Sequence, residues 1–281
     1  ETVTLVTGAS GQVGLHLLGA LLERGRRVRA LLLEGDTSLD TRADIEIVRG
    51  DVCDANTLRP AFDGVESVFH LAAVVSTAGG PNPRLEAVNV EGARNVAVAA
   101  RRAGARMVHF SSIVVFDPEP RYARIDETRR RLPGGAPYTV SKGRGEDGVR
   151  DEVGRGLHAV IVHPTVIVGP HETHHAGIVA GLIGKHRAGT LPAMMRGAGF
   201  DLVDVEDVVA GALAAERSGR PGESYILAGR WYEFAELVAI STRACGKGAP
   251  SLSVPLWVAR ASLPLVTAGA RLFGLEAPFD R

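Results

Sequence analysis

The chain has 281 residues, 45% of them hydrophobic, and its 32 basic side chains balance 32 acidic ones. That is apolar material for a sizeable core, in one large domain or two closely coupled ones, and a formal charge of zero provides no basic field for nucleic acid or an anionic membrane. The two cysteines, Cys53 and Cys245, lie far apart without C-x-x-C spacing; they indicate neither a disulfide framework nor a thiolate zinc site, and a reducing cytoplasm is the simplest setting.

The first residues, "TVTLVTG", read as a β-branched strand ending in Gly8, so no signal or transit segment is visible, although an export signal could already have been removed. In "QVGLHLLGALLERG", Val13, Leu17, Leu18, Leu21 and Leu22 recur with helical period. Next come strands at "RVRALLL" and "DIEIVRG", a short helix at "ANTLRPAF" and a strand at "ESVFHLAA". A long Ala-rich helix from about 84 to 103, the strand "MVHFSS", a helix near 138 to 153 and the strand "HAVIVHP" complete the series. Strands apolar throughout and separated by helices predict a parallel sheet covered on both faces, a doubly wound α/β domain of Rossmann type over residues 1–170. Beyond Pro170 the text is irregular, with strands "FDLVDV" and "ESYILAG" and apolar helical stretches. Residues 171–281 are read as a smaller C-terminal, mainly substrate-binding lobe, with room for some segments to return to the sheet. The tract "SVPLWVARASLPLVTAGARLFGL" is interrupted by Arg260, Pro264 and Arg271, which favours helices on a core or pocket over a membrane span.

The first turn, "TGASGQVG", places Gly8, Gly11 and Gly14 three apart between strand and helix. Gly8 permits the tight turn, Gly11 lets the backbone approach a pyrophosphate, and Gly14 allows close helix–strand packing with the helix N-terminus facing the phosphates. Tyr138 and Lys142 in "YTVSK" share one helix face. The strand "HFSSIVVF" carries Ser111 and Ser112, the latter 26 positions before Tyr138.

Glycine loop, serine and Tyr-x-x-x-Lys, in this order, resemble the extended short-chain dehydrogenase/reductase family, also described as the NAD-dependent epimerase/dehydratase superfamily. The resemblance implies NAD or NADP as cofactor. Gly8, Ser10, Gly11, Gln12, Val13 and Gly14 would hold it at the first turn, Leu32 and Glu34 after the second strand, and Asp51 and Val52 of "GDVCD" at the adenine. Leu71, Ala72 and Ala73 of "HLAA" would pass under it, Tyr138 and Lys142 would meet the nicotinamide ribose, and Pro164 and Thr165 would border the nicotinamide. Ser112, Tyr138 and Lys142 are the implied catalytic residues. Hydride transfer to a carbonyl needs a proton for the developing alkoxide, and a phenol of pKa ~10 shuttles poorly at neutral pH unless positive charge lowers it. Lys142 can supply that charge while Ser112 bonds the substrate oxygen. Asn89 in "VNVEGARN" matches a family asparagine, read as structural support. NAD enzymes of the family usually carry an acid at the position of Leu32, and NADP enzymes often an arginine at that of Leu33. This chain has neither, and Glu34 and Asp36 lean it to NAD.

Nucleotide-sugar epimerases and dehydratases of the family resemble "NVYGP" after the sixth strand and keep an arginine before a later "D-F/Y-V/I-H-V" segment. This chain has Val166 for the asparagine, Phe200 for the arginine and Asp204 for the histidine. "PTVIVGP" resembles instead the dihydroflavonol-reductase-like branch, which includes hopanoid-associated epimerase-like proteins. The expected reaction is hydride transfer between nicotinamide and a carbonyl or secondary alcohol of a largely apolar small molecule, with Ser112, Val166, His171 and Phe200 towards the substrate. Ile167, Leu191, Met194 and Met195 add apolar character, divided between pocket and core. The alternatives are a (nucleotide-)sugar epimerase or dehydratase and a non-catalytic NAD(P)-binding regulator; intact Ser112, Tyr138 and Lys142 speak against the latter. A homodimer is compatible with the resemblance.

One motif points elsewhere: His171, Glu172 and His175 in "GPHETHHAG" have H-E-x-x-H spacing. A zinc hydrolase needs both histidines on a regular helix and a third ligand. "GP" precedes the motif, which falls where the family leaves its sheet for a substrate loop. No metal is expected, and His171 is read as a substrate contact.

Overall fold

A computed structural model gives the fold and describes residues 2–76, 82–120, 123–170, 178–191, 193–250, 252–258 and 261–262. Short apolar strands alternate with helices as the periodicities require: β1 (Val3–Thr7), α1 (Gln12–Glu23), β2 (Arg27–Leu32), β3 (Glu46–Arg49), α2 (Ala55–Ala61) and β4 (Val65–His70). A π-helical segment, Leu85–Gly92, runs into α3 (Ala93–Ala103), followed by β5 (Arg106–Phe110), α4 (Pro137–Val153), β6 (Ala159–Pro164) and β7 (Val166–Val168). The remainder comprises α5 (Ile178–Ala188), β8 (Met194–Arg196), β9 (Gly199–Asp204), α6 (Val205–Ser218), β10 (Ser224–Leu227), β11 (Arg230–Glu233), α7 (Phe234–Cys245) and β12 (Ser253–Pro255).

Seven strands form the main sheet in the order β10-β6-β5-β4-β1-β2-β3, and every pairing is parallel. Every residue of β1 and β6 is buried, because helices cover both faces. One face is packed by Leu17, Leu18 and Leu21 of α1 with Val208, Val209 and Ala212 of α6. The other is packed by Val96, Ala97 and Ala100 of α3 with Val149 of α4. The chain builds outward from β1 to β3, then returns to place β4, β5 and β6 on the opposite side. The carboxyl ends of β1 and β4 therefore flank the point where strand order reverses, the usual crevice for a ligand in an open α/β sheet.

Two features go beyond the linear reading. Residues 224–227 supply the seventh strand of the main sheet, with α6 packed on the face shared with α1. The strand read as "FDLVDV" stops at Asp204, whose carboxylate accepts from the Glu206 amide at 2.8 Å and so starts α6. The lobe has its own small core of Leu182, Phe234, Leu237 and Val238, against which Leu191, Met194, Met195 and Phe200 pack partly buried. Ile167 packs on the main-sheet core. His171, Glu172, His175 and most of the C-terminal apolar tract lie outside the described residues. Among the described residues no helix is long and apolar enough to cross a membrane, and no group of three potential metal ligands gathers.

Candidate active site

The site grows from the end of β1. Gly8 has φ +69°, which an L side chain rarely adopts, and a Cβ there would stand 2.7 Å from the Ala72 amide nitrogen. The Leu71 amide donates to the Thr7 carbonyl at 3.1 Å and the Ala72 amide to Thr7 Oγ1 at 3.2 Å, so the segment after β4 is laced to the turn. Gly14 is equally constrained, since a Cβ would lie 2.3 Å from the Gly8 oxygen. The N-cap of α1 is Gly11, with no side-chain cap and no acid in the first turn. Its amino end thus presents backbone N–H groups to an anion. These features fit a dinucleotide: a bare helix end for the pyrophosphate and a floor from which side chains have been removed.

Other residues assigned to the cofactor divide. Ser10 meets the Asp36 carboxylate; burial works to raise the Asp36 pKa, but hydrogen bonds from Ser38 and Ser10 and the Arg49 charge hold it below the ordinary value. Glu34 is exposed, so of the two acids after β2 it is Asp36 that reaches the glycine turn. The side chains of Leu32 and Val13 belong to the core behind the turn, leaving their backbones for any contact. Val52 is buried against Gly92, and Asp51 accepts from the Cys53 amide at 2.9 Å. The Gln12 amide donates to the carbonyls of Gly169 at 3.0 Å and Pro170 at 3.2 Å, tying the glycine turn to the chain leaving β7. Thr165 donates its amide to the Leu227 carbonyl at 3.1 Å, directly after Pro164 closes β6.

On the neighbouring strands, Ser112 follows β5 and lies near enough to the half-buried Tyr138, at the start of α4, to act on its phenol. Lys142, one turn further, is buried and donates from Nζ to the Phe110 carbonyl at 2.6 Å. Burial pushes the Tyr138 phenol up to about 12, with the Ser112 hydrogen bond opposing, and pushes Lys142 down to about 8, with Glu146 opposing. The Lys142 ammonium is engaged by the Phe110 carbonyl, and Ser112 is the group that acts on the Tyr138 phenol. A phenol so placed is protonated at neutral pH.

Two supports complete the site. Asn89 accepts from the Val74 amide at 2.8 Å and donates to the Val74 carbonyl at 2.9 Å and to Ser141 Oγ at 3.0 Å. It joins the segment after Ala73 to α4, a supporting geometry. Glu146, which the sequence does not single out, lies fully buried among Ser111, His163, Arg131 and Arg150. Its one signal in the sequence is the four-residue step from Lys142.

Residues 4–228 match the model of the NAD dependent epimerase/dehydratase family. Sterol demethylase protein B of Methylococcus capsulatus is 36% identical over 255 residues, covering 90% of this chain and 77% of that protein. The 4-hydroxy-2-methyl-3-oxo-4-farnesyl-3,4-dihydroquinoline-1-oxide ketoreductase of Stigmatella aurantiaca is 31% identical over 270 residues, covering 93% and 79%. The UDP-glucose 4-epimerase of Thermus thermophilus, solved in complex with NAD, superposes with a TM-score of 0.76 at 26% identity, over 90% of this chain and 86% of that one. With its parallel seven-stranded sheet, glycine turn and matching sequence over most of its length, the chain belongs to the NAD-dependent epimerase/dehydratase family, the extended short-chain dehydrogenases/reductases.

Proposed function

We propose that the protein is an NAD(P)-dependent oxidoreductase acting on a carbonyl or secondary alcohol of a largely apolar small molecule. The observation that carries this reading is the convergence of Ser112, Tyr138 and buried Lys142, whose Nζ is held by the Phe110 carbonyl, at the carboxyl edge of the sheet that bears the glycine turn. When bound, the nicotinamide supplies or accepts the hydride. Ser112 holds the substrate oxygen, Tyr138 delivers or takes the proton at that oxygen, and Lys142 holds the ribose hydroxyls. Asp36 follows β2 and meets Ser10 of the glycine turn, the region where the family reads the adenosine ribose, and its negative charge there supports NAD over a form carrying a 2′-phosphate. The apolar substrate class is supported by Val166 and partly buried Phe200 where a phosphate-binding branch keeps polar and cationic groups. It is also supported by the sterol and farnesyl compounds in the names of the two relatives.

Tyr138→Phe is expected to reduce turnover of hydrophobic ketones by ~10²-fold or more while NADH binding stays close to wild type; wild-type turnover in that variant would defeat the assignment. UDP-, GDP- and dTDP-sugars are expected neither to be converted nor to raise the melting temperature. Losing one charge-assisted contact costs ~1.5–3 kcal/mol, or ten- to a hundredfold in affinity. Micromolar binding of a nucleotide sugar, lost in Arg196→Ala, would instead favour the epimerase/dehydratase reading.

A further inference from the structure

Glu146 lies one turn beyond Lys142 on α4, and its side chain is 0% exposed. A carboxylate in such a place persists only when its oxygens are matched by donors. Four groups match them. Ser111 Oγ donates to Oε2 at 2.9 Å from the end of β5, and His163 Nε2 reaches the same oxygen at 2.9 Å from β6. Arg150 Nε donates to Oε1 at 3.0 Å from the next turn of α4, and Arg131 stands 3.2 Å from that oxygen on the segment before the helix. Because an ionised carboxylate only accepts, His163 carries its proton on Nε2. One residue thus joins β5, β6, α4 and the segment entering α4 directly behind the catalytic serine.

The partners differ in what else they have. Arg131 also pairs with Asp147, and Arg150 also donates to the Gly222 carbonyl at 2.9 Å and to Ser224 Oγ at 2.7 Å. Lys142 is differently placed. Its Nζ is held by the Phe110 carbonyl on β5, and the titratable groups around it are His70 on β4, His109 on β5, and Tyr138 and Glu146, one turn away on either side along α4. Both histidines are neutral at working pH: burial, then the Lys142 charge, brings His70 to about 3 and places His109 well below its ordinary value. Tyr138 is protonated. Among the described residues, Glu146 is the carboxylate that acts on Lys142.

We propose that Glu146 is a positioning residue, a buried anion that keeps Lys142 an ammonium and fixes Ser111, and so the adjoining Ser112, against α4. The inference rests on the reading of Lys142 as the ribose-holding cation of the reductase site. Burial alone drives Lys142 towards the neutral amine, and Glu146 is the influence that opposes it. Glu146 remains charged throughout the working range: burial works to raise its pKa, but the His163 hydrogen bond and the His163, Arg150 and Arg131 charges bring it to about 2. Replacing it by glutamine keeps the shape and removes the charge. The arginines retain other partners; among the described residues Lys142 retains no anion that acts on it.

The chain contains three lysines, Lys142, Lys185 and Lys247, so ¹³C-lysine NMR can follow the ionisation of Lys142 directly, with Lys142→Arg identifying its signal. In Glu146→Gln the titration midpoint of Lys142 is expected to fall by about one pH unit or more. NADH affinity is expected to weaken about three- to tenfold at pH 8 and little at pH 6. A folded Glu146→Gln protein with an unchanged Lys142 midpoint overturns the proposal. Should that variant not fold, Arg131→Met serves: removing a cation that shares Glu146 is expected to raise the Lys142 midpoint, and an unmoved midpoint is equally fatal. The titration requires neither dinucleotide nor substrate. Shifted midpoints in a protein that binds no NADH, or whose Tyr138→Phe variant turns over normally, would condemn the reductase reading while leaving the hold of Glu146 on Lys142 established.

Discussion

A Cβ on Gly14 would stand 2.3 Å from the Gly8 oxygen and 2.6 Å from that of Ala9, both backbone atoms of the turn, whereas one on Gly11 would meet only the Gly8 oxygen, at 3.3 Å. The two glycines therefore have separable roles. Gly14→Ala is expected to lower unfolding stability by about 1–3 kcal/mol, the usual range for forced overpacking, and to weaken NADH binding as well. Gly11→Ala, on the exposed face of the turn, is expected to leave the urea midpoint nearly unchanged while weakening NADH binding, which titration calorimetry would measure. Asp36 gives a third expectation at this scale: Asp36→Ala should narrow the preference for NADH over NADPH by about tenfold, the size of one charge-assisted contact, while an unchanged ratio of dissociation constants would remove it from the ribose site. The glycine spacing and the shared face of Tyr138 and Lys142 were readable in the linear text, because both follow from local helix and turn geometry. What each side chain touches was not. Glu34 and Asp36 are two residues apart and chemically alike, yet only Asp36 meets Ser10.

The long helix expected over 84–103 is two things. Leu85–Gly92 is π-helical and Ala93–Ala103 is α-helical. The wider turn coincides with close packing: a Cβ on Gly145 of α4 would lie 2.0 Å from the Asn89 oxygen, and the Asn89 side chain is fully engaged by Val74 and Ser141. Such π segments recur at functional sites because they re-aim one side chain without ending the helix. Asn89→Leu would leave the Val74 amide and carbonyl without these partners. At about 1–3 kcal/mol for each unsatisfied group, a loss of roughly 2–6 kcal/mol in urea unfolding is expected. A change below about 0.5 kcal/mol would show that Asn89 merely fills space. Apolar periodicity could locate this helix but not its pitch, since a helix register holding one extra residue leaves the local pattern almost unchanged.

Across the whole molecule, the buried ionisable groups under α4 set the pH response. His70 is held at about 3 and His109 well below 6.5, in both cases by burial first and the Lys142 charge second. The folded state keeps both neutral while unfolded histidine takes a proton near pH 6.5, so stability is lost as pH falls below about 6.5. Glu146, lowered from 4.5 to about 2, adds a further loss that begins as pH falls through about 4.5. Urea unfolding free energies are therefore expected to decline steadily from pH 7 to pH 4, and His109→Leu, which removes a ring without hydrogen-bond partners among the described residues, is expected to flatten the upper part of that decline. The sequence by itself determined the class of fold, the family's glycine turn and the frame of Ser112, Tyr138 and Lys142, because apolar period, backbone conformation and helix spacing are obeyed within a few neighbouring residues. Only the tertiary structure decided that residues 224–227 close the main sheet, that Lys142 turns to Phe110, and that Glu146 gathers Ser111, His163, Arg131 and Arg150. Those outcomes depend on strand order and on which polar groups are buried together, and partners from separate strands, helices and loops leave no trace in any local pattern.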